Sequence, residues 1–269
     1  MMVDKSEKFN WLVRAGYLSR AILYSMLGLI ALSSAGAISK GTDGIFKAIE
    51  DFPAGTAILW LMVIGLFGYS LFRFASPIFD IENNGSDAKG WAKRIGHAGS
   101  GVGHAALALS AYQFATTSGG TSGGGGAEAA ASGVLSMAFG GTVLGVLGLI
   151  FFIVAAVQFK KGISGDFMQR ISGSAPDFTR TLGGIGFSAR GVVYGVVGWS
   201  LIQAGFMSGG AEEVRTLGDA LADLAGQGAI FTITAAGLLI FGIFSLILAR
   251  YRIIPELDRD QGVPQFRTA

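Results

Sequence analysis

Six long apolar runs alternate with short polar stretches along the chain. They lie near residues 15–37, 56–78, 97–117, 134–158, 184–207 and 228–250. Each run is long enough for a helix that crosses a bilayer, which takes about 20 residues. Glycine, alanine and serine interrupt every run, as is typical of helices that pack closely within lipid. The pattern predicts an all-α integral membrane protein with six transmembrane helices.

The polar positions inside these runs also repeat. Three runs carry one stripe of small, polar, polar and small side chains, at Gly16-Arg20-Tyr24-Gly28, Gly96-Ser100-His104-Ala108 and Gly186-Arg190-Tyr194-Gly198. Residues four apart lie on one face of a helix. The stripes predict a single domain built from three two-helix repeats, followed by a polar tail, with the boundaries near 12–80, 92–168, 180–254 and 255–269.

Repeats with two spans each all enter the membrane from the same side. Parallel repeats of this kind are related by an axis along the membrane normal. We therefore expect a pseudo-threefold arrangement in which the first helix of each repeat lines the axis and the second helix faces lipid. The glycines of the stripes are predicted to allow close helix packing, and they are Gly16, Gly28, Gly96, Gly186 and Gly198.

Composition supports the membrane interpretation, and charge orients the chain. Charged residues make up 14% of the sequence, apolar residues 51%, and mean hydropathy is +0.55. Lysine and arginine concentrate at both termini and in two long loops, whereas the opposite side holds only Lys40, Lys47 and Arg215. The positive-inside rule then places both termini in the cytoplasm. A net charge of +2 gives no support to nucleic-acid binding.

The first apolar run also has features of a secretory signal, because it ends in the small residues Ser34-Ala35-Gly36-Ala37. It carries the same stripe as the other repeats, so we expect it to be retained. The chain contains no cysteine, which excludes disulfides, thiolate metal ligands and cysteine nucleophiles.

The motif around the first stripe resembles a known family. Arg14-x-Gly-Tyr-x-x-Arg-x-x-x-Tyr24, Gly186-Phe-Ser-Ala-Arg-Gly-Val-Val-Tyr194 and Ala249-Arg-Tyr-Arg252 are similar to the signature of the bacterial membrane proteins grouped as domain of unknown function 1206. The resemblance covers essentially the whole chain. It implies a six-helix protein of the inner membrane and brings no established activity. The second repeat departs from the pattern, with Ser100 and His104 in place of arginine and tyrosine.

Arg20 and Arg190 lie inside apolar runs, and no run contains an aspartate or glutamate. An arginine at the bilayer centre costs at least about 2.5–3.5 kcal/mol. One interpretation is that both guanidinium groups extend to the headgroups, as we also expect for Arg73 near the end of the second run. The other is that they point inward and meet carbonyls, Tyr24, Tyr194, a lipid phosphate or a permeating anion.

His97 and His104 lie seven residues apart on one helix face, about 10 Å from each other. They are too far apart to share a metal ion, and no further ligands are evident, so we predict no metal or cofactor. Proton handling and plain packing both remain open for them. The candidates for binding a ligand or lining a pore are Arg20, Tyr24, Ser100, His104, Arg190, Tyr194, Tyr17 and His97.

No acid lies near either histidine within a span, so we expect no enzyme. Two functions remain. The first is a small channel or carrier that moves a small solute along a polar axis. The solute would be an anion, because the apolar runs contain no carboxylate that could bind a cation. The second is a non-transporting scaffold or accessory subunit that binds phospholipid headgroups or another membrane protein. In both functions the protein lies in the lipid bilayer.

Overall fold

The computed structural model describes residues 5–33, 41–51, 53–80, 84–116, 126–207 and 209–254, and the predicted tail over 255–269 lies outside them. These ranges are helical apart from turns and one isolated bridge between Ile171 and Arg252. In chain order the helices are α1 (Lys5–Ser33), α2 (Gly41–Glu50), α3 (Gly55–Phe79), α4 (Ala88–Thr116), α5 (Gly126–Leu135), α6 (Gly140–Ser164), α7 (Thr179–Phe206), α8 (Leu217–Asp223) and α9 (Ala229–Tyr251).

Five of these helices contain segments long and apolar enough to cross a membrane. The segments are Val13–Ser33, Gly55–Ile78, Gly140–Ser164, Thr179–Phe206 and Ala229–Tyr251. Helix α4 matches the third predicted run and has 29 residues, but it does not meet the same test. Its first turns carry Lys89, Lys93 and Arg94, and its middle is rich in glycine and serine. The apolar helices indicate a membrane protein.

Several helix boundaries differ from those of the apolar runs. Helix α1 begins at Lys5 and α4 at Ala88, because each helix continues through polar residues that precede its apolar run. Helix α6 begins at Gly140, later than the 134 expected from the sequence, because a turn over 136–139 separates it from α5. Apolar runs mark the lipid-compatible part of a helix, whereas hydrogen bonding decides where the helix ends.

Two arginines connect neighbouring helices at the end where α1, α4 and α7 begin, which we call the basic end. Arg14 donates through Nη1 to the carbonyls of Ala249 and Arg250, at 2.7 and 2.5 Å. Arg94 donates through Nε to the carbonyl of Pro77, at 2.7 Å. The last carbonyls of a helix lack partners within the helix. Arg14 therefore caps α9, the last long helix of the third repeat, and Arg94 caps α3, the last helix of the first repeat.

The six long helices form a curved row in which α6 packs on α7, α7 on α9, α9 on α1, α1 on α3, and α3 on α4. Within the described residues, α4 and α6 are not packed against each other. First and second helices alternate along this row. The expectation that only the first helices line the interior is therefore wrong, because Tyr69 of α3 and Phe241 of α9 are fully buried among them.

Short helices cover the end of the row opposite the basic end, which we call the far end. Helix α2 packs against α8, α3 and α4 there, and α8 also packs against α7. Phe46 and Ile49 of α2 are buried, and the ring of Phe46 lies 5.6 Å from that of Phe114 on α4. A capping box between Thr216 and Asp219 starts α8. These helices close the far end with apolar side chains.

Candidate functional site: an arginine–aromatic cluster

Helix α1 carries the first polar stripe into the interior of the row. Tyr17, Arg20 and Tyr24 lie on one face of α1 and are 2%, 7% and 4% exposed. The Arg20 guanidinium donates to the Tyr69 hydroxyl at 2.9 Å. Its carbon lies 5.2 Å from the ring centre of Tyr17 and 5.0 Å from that of Phe241. Arg20 is held inside the protein, as in the second of the two interpretations of the sequence, and does not extend to the headgroups.

Helix α7 supplies the matching arginine from the third repeat. The Arg190 guanidinium carbon lies 4.6 Å from the ring centre of Phe241, 5.0 Å from that of Tyr194 and 5.4 Å from that of Tyr24. Arg190 also donates to the Tyr194 hydroxyl. Its Nε is buried without a hydrogen-bond partner. Arg20 and Arg190 thus meet at the same phenylalanine, with one donor of Arg190 unused.

The Tyr69 hydroxyl joins a third arginine to the site. It accepts from Nε and Nη2 of Arg73, one turn along α3, at 3.0 and 2.5 Å, as well as from Arg20. Arg73 therefore points into the protein, which corrects the expectation that it extends to the headgroups. We call Arg20, Arg73, Arg190, Tyr69 and Phe241 the arginine–aromatic cluster.

The second repeat contributes polar side chains from α4. The His104 ring lies 4.7 Å from the Tyr69 ring, edge to face. His104 Nδ1 lies 2.7 Å from the Ser100 carbonyl and 3.5 Å from the Ser100 hydroxyl. His97 lies nearer the basic end, with Nδ1 3.0 Å from the Ser76 hydroxyl. The structure thus brings Ser100 and His104 to the cluster, and it places His97 beside the end of α3.

Sequence reasoning did not name Tyr69, Arg73 and Phe241 as site residues. They lie on the second helices, which were expected to face lipid. A signal was present, because Gly65-Leu-Phe-Gly-Tyr69 and Gly237-Leu-Leu-Ile-Phe241 place an aromatic residue at the same distance from a glycine in two repeats. An aromatic residue at a repeated position inside a glycine-rich helix is a candidate for packing across the interior.

Ion pairs among the described residues do not balance the charges of Arg20 and Arg190. Neither Arg20 nor Arg190 forms an ion pair with any residue that the structure describes. Burying one guanidinium costs several kcal/mol, and a desolvated cation–π contact with an aromatic ring offsets about 2 kcal/mol of this cost. A guanidinium has five donors, and hydroxyls of Tyr69 and Tyr194 accept only some of them. The interior therefore favours an anion.

Further cations surround the basic end of the site. Lys161 and Arg170 both lie within electrostatic range of Arg73 and of Arg252. Burial, together with the neighbouring charges of Arg252 and Arg73, lowers the pKa of Arg170 to about 10. A positive potential of this kind raises the local concentration of anions. The basic end is thus electrostatically suited to receive an anion from the adjoining aqueous phase.

The stripe glycines allow close contact at most of their positions. A Cβ at Gly186 would lie 2.8 Å from the Phe241 backbone, one at Gly28 would lie 2.6 Å from the Leu239 nitrogen, and one at Gly16 would collide with Tyr69. At Gly198 it would lie 3.0 Å from the Gly148 carbonyl. Gly96 is different, since no described atom lies within 4 Å of that position.

Comparison with known proteins gives a family and one uncharacterized relative. The model of the family described as Domain of Unknown Function (DUF1206) matches residues 15–80, 95–165 and 185–252. The chain is also 29% identical over 261 residues to "Uncharacterized protein YxxB" of Bacillus subtilis (strain 168), an alignment that covers 92% of this chain and 94% of the relative. No solved structure matches. Each matched segment contains one long, one short and one long helix.

Proposed function

We propose, for a chain that belongs to the DUF1206 family, that it is a multi-pass protein of the bacterial inner membrane that carries a small anion. The anionic group is held by Arg20 and Arg190, with Arg73 on the side of the basic end. The chemistry is binding and translocation, without catalysis. In this proposal α4 is the sixth span, and the three repeats surround a common axis.

One observation carries the proposal. Arg20 and Arg190 meet at the Phe241 ring, with no carboxylate paired to either among the described residues, and Nε of Arg190 has no partner. A buried donor without a partner costs about 1–3 kcal/mol, and more when it is charged. An anion bound between the two guanidinium groups removes this cost and forms charge-assisted hydrogen bonds.

The packing favours a carrier over an open channel. Tyr24, Tyr69 and Phe241 fill the space between the helices and are almost completely buried. Helices α2 and α8 cover the far end. An anion that reaches the cluster from the basic end meets aromatic rings, so its passage requires a rearrangement of the helices. Carriers work by such changes of access around a fixed binding site.

Charge supports a cytoplasmic basic end. Lys89, Lys93 and Arg94 lie in the first turns of α4, and Lys160 and Lys161 lie near the end of α6. Cationic residues of this kind remain on the cytoplasmic side during insertion. With α4 as a span, both termini lie on that side.

Anion flux into liposomes tests the proposal. Purified protein is reconstituted, and uptake of radiolabelled phosphate and of chloride is measured for the wild type, Arg20→Gln and Arg190→Gln. Because each variant removes one charge from the cluster, we expect uptake to fall at least tenfold, which corresponds to about 1.4 kcal/mol.

The matched control is Lys47→Gln, which removes one charge at an exposed ion pair of the far end. Such pairs contribute little, so its uptake should equal that of the wild type. A wild type that takes up neither anion, or arginine variants with full uptake, would refute the carrier.

A second candidate is a non-transporting subunit of another membrane complex. It is favoured by the exposure of α6, because only 28% of the apolar segment of this helix is buried within the protein. Large exposed side chains such as Val143, Ile150 and Ile153 provide a surface for a partner helix. Purification in mild detergent tests this candidate, which requires a partner protein at fixed stoichiometry. A lone monodisperse protein contradicts it.

A further inference from the structure

The row of helices is open on one side, between α4 and α6. In the first repeat Gly16 of α1 is covered by Tyr69 of α3, and in the third Gly186 of α7 is covered by Phe241 of α9. The equivalent Gly96 of α4 has no described atom within 4 Å. The first and second helices therefore pack together in two repeats and stay apart in the middle one.

The two walls of this opening are small or apolar. On α4, Gly96, Gly99 and Gly103 lie on one helix face by their spacing, and a Cβ at any of them would meet nothing within 4 Å. On α6, Val143, Leu147 and Ile150 are exposed, and by helical spacing they lie away from the glycines that contact α7. Together with other side chains of α6 and the turn before it, they line an apolar hollow of about 370 Å³. The named residues on both sides of the opening are thus compatible with lipid, and none of them is charged.

The arginine–aromatic cluster lies behind the opening. Phe151 of α6 packs edge to face against Tyr194, with ring centres 5.9 Å apart, and the Tyr194 hydroxyl accepts from Arg190. On the α4 side, Ser100 and His104 lie next to the glycine face and reach the cluster through Tyr69. Arg190 and His104 are half-buried, whereas Arg20 is buried. The opening therefore leads toward the guanidinium group that has a buried donor without a partner.

The apolar opening and the Arg190 guanidinium behind it together favour one class of ligand. An apolar passage open to the bilayer admits acyl chains, and a guanidinium without a carboxylate binds a phosphate. A free phosphate ion would lose its hydration along these walls. We infer that an anionic phospholipid enters between α4 and α6, with its phosphate against Arg190 and an acyl chain against Val143, Leu147 and Ile150. This inference rests on the proposed anion site and names its ligand.

Lipid binding to the full-length protein in detergent tests the inference. Native mass spectrometry measures binding of phosphatidylglycerol and of phosphatidylcholine, and calorimetry measures binding of inorganic phosphate. We expect phosphatidylglycerol to bind at least tenfold more tightly than phosphatidylcholine. Filling the opening with Gly99→Leu and Gly103→Leu should weaken phosphatidylglycerol binding at least tenfold and leave phosphate binding unchanged. Both glycine positions have room for a side chain, so the variants should fold.

Two controls accompany these variants. Val102→Leu alters an exposed residue of α4 between the two glycines, and it should bind lipid like the wild type. Arg190→Gln should weaken both phosphatidylglycerol and phosphate, because it removes the shared cation.

The possible outcomes separate the two proposals. Phosphate binding without lipid binding, or lipid binding that survives both leucines, overturns the lateral site and leaves the anion site standing. A wild type that binds neither phosphatidylglycerol nor inorganic phosphate overturns both proposals. Filled variants that change a dimer into a monomer without any lipid effect assign the opening to a second copy of the chain, which also overturns the inference.

Discussion

At the scale of single residues, one hydroxyl group organises the site. Tyr69 accepts hydrogen bonds from Arg20 and Arg73, and its ring contacts those of Tyr17 and His104. A neutral acceptor shared by two cations reduces the cost of burying them without an ion pair. The stripe residues of the first and second repeats are therefore connected through a side chain that belongs to neither stripe.

Removal of this hydroxyl should destabilise the protein. Tyr69→Phe keeps the ring and leaves Arg20 and Arg73 without their shared acceptor, so we expect a loss of about 3 kcal/mol in the free energy of unfolding. Unfolding by denaturant in mixed micelles measures it. Tyr112→Phe, at an exposed tyrosine whose ring packs edge to face against Trp60, should change stability by less than about 0.5 kcal/mol. Equal effects of the two variants would mean that the hydroxyl has no special role.

At the scale of helices, the same sequence position has different surroundings in different repeats. Gly186 touches the backbone of Phe241, whereas Gly96 faces open space. Repetition in the sequence predicts that both positions lie on one face of a first helix. It does not predict whether the partner helix is present, because the distance between two helices depends on side chains from both of them.

A pair of matched substitutions measures this difference. Gly186→Val places two methyl groups against Phe241 and should cost about 1–3 kcal/mol or more, as overpacking does. Gly96→Val makes the same change in helix propensity without a collision, so it should cost less than about 1 kcal/mol. Thermal unfolding of both variants in one detergent gives the comparison. Similar losses at the two positions would indicate that α4 is packed against α6 in solution.

At the scale of the whole molecule, the alternation of first and second helices brings residues of all three repeats together. Arg20 comes from α1, His104 from α4 and Arg190 from α7, while Tyr69 and Phe241 lie between them. The row remains open where α4 and α6 separate. In the inference of a lateral lipid site, this opening gives access to the cluster from the side.

The opening can be detected by disulfide cross-linking, since the chain has no cysteine of its own. A Cβ at Gly198 would lie 3.1 Å from that of Phe151, close to the separation of about 3.5–4.5 Å between the two Cβ atoms of a disulfide, so cysteines at these two positions should cross-link α7 to α6 in mild oxidant. Cysteines at Gly99 and Leu147, on the two walls of the opening, should not. Gel mobility after proteolysis between the helices reports the bond. Efficient cross-linking of the second pair would show that the opening closes.

The sequence by itself determined the helical class, the long apolar helices, the three repeats and the family, which the comparison confirmed. These features depend on apolar periodicity and on self-similarity, and both can be read along one chain. The sequence also showed that three equivalent stripes contain Arg20 and Tyr24, Ser100 and His104, and Arg190 and Tyr194.

Only the tertiary structure decided where these side chains point and what they touch. Arg73 turns inward because the Tyr69 hydroxyl is within its reach, and Gly96 is bare because α6 packs on α7 instead of α4. Both outcomes depend on contacts between segments far apart in the chain. A stripe fixes the face of a helix, but the neighbouring helix decides whether that face is a packed interface, a buried cation site or an opening to lipid.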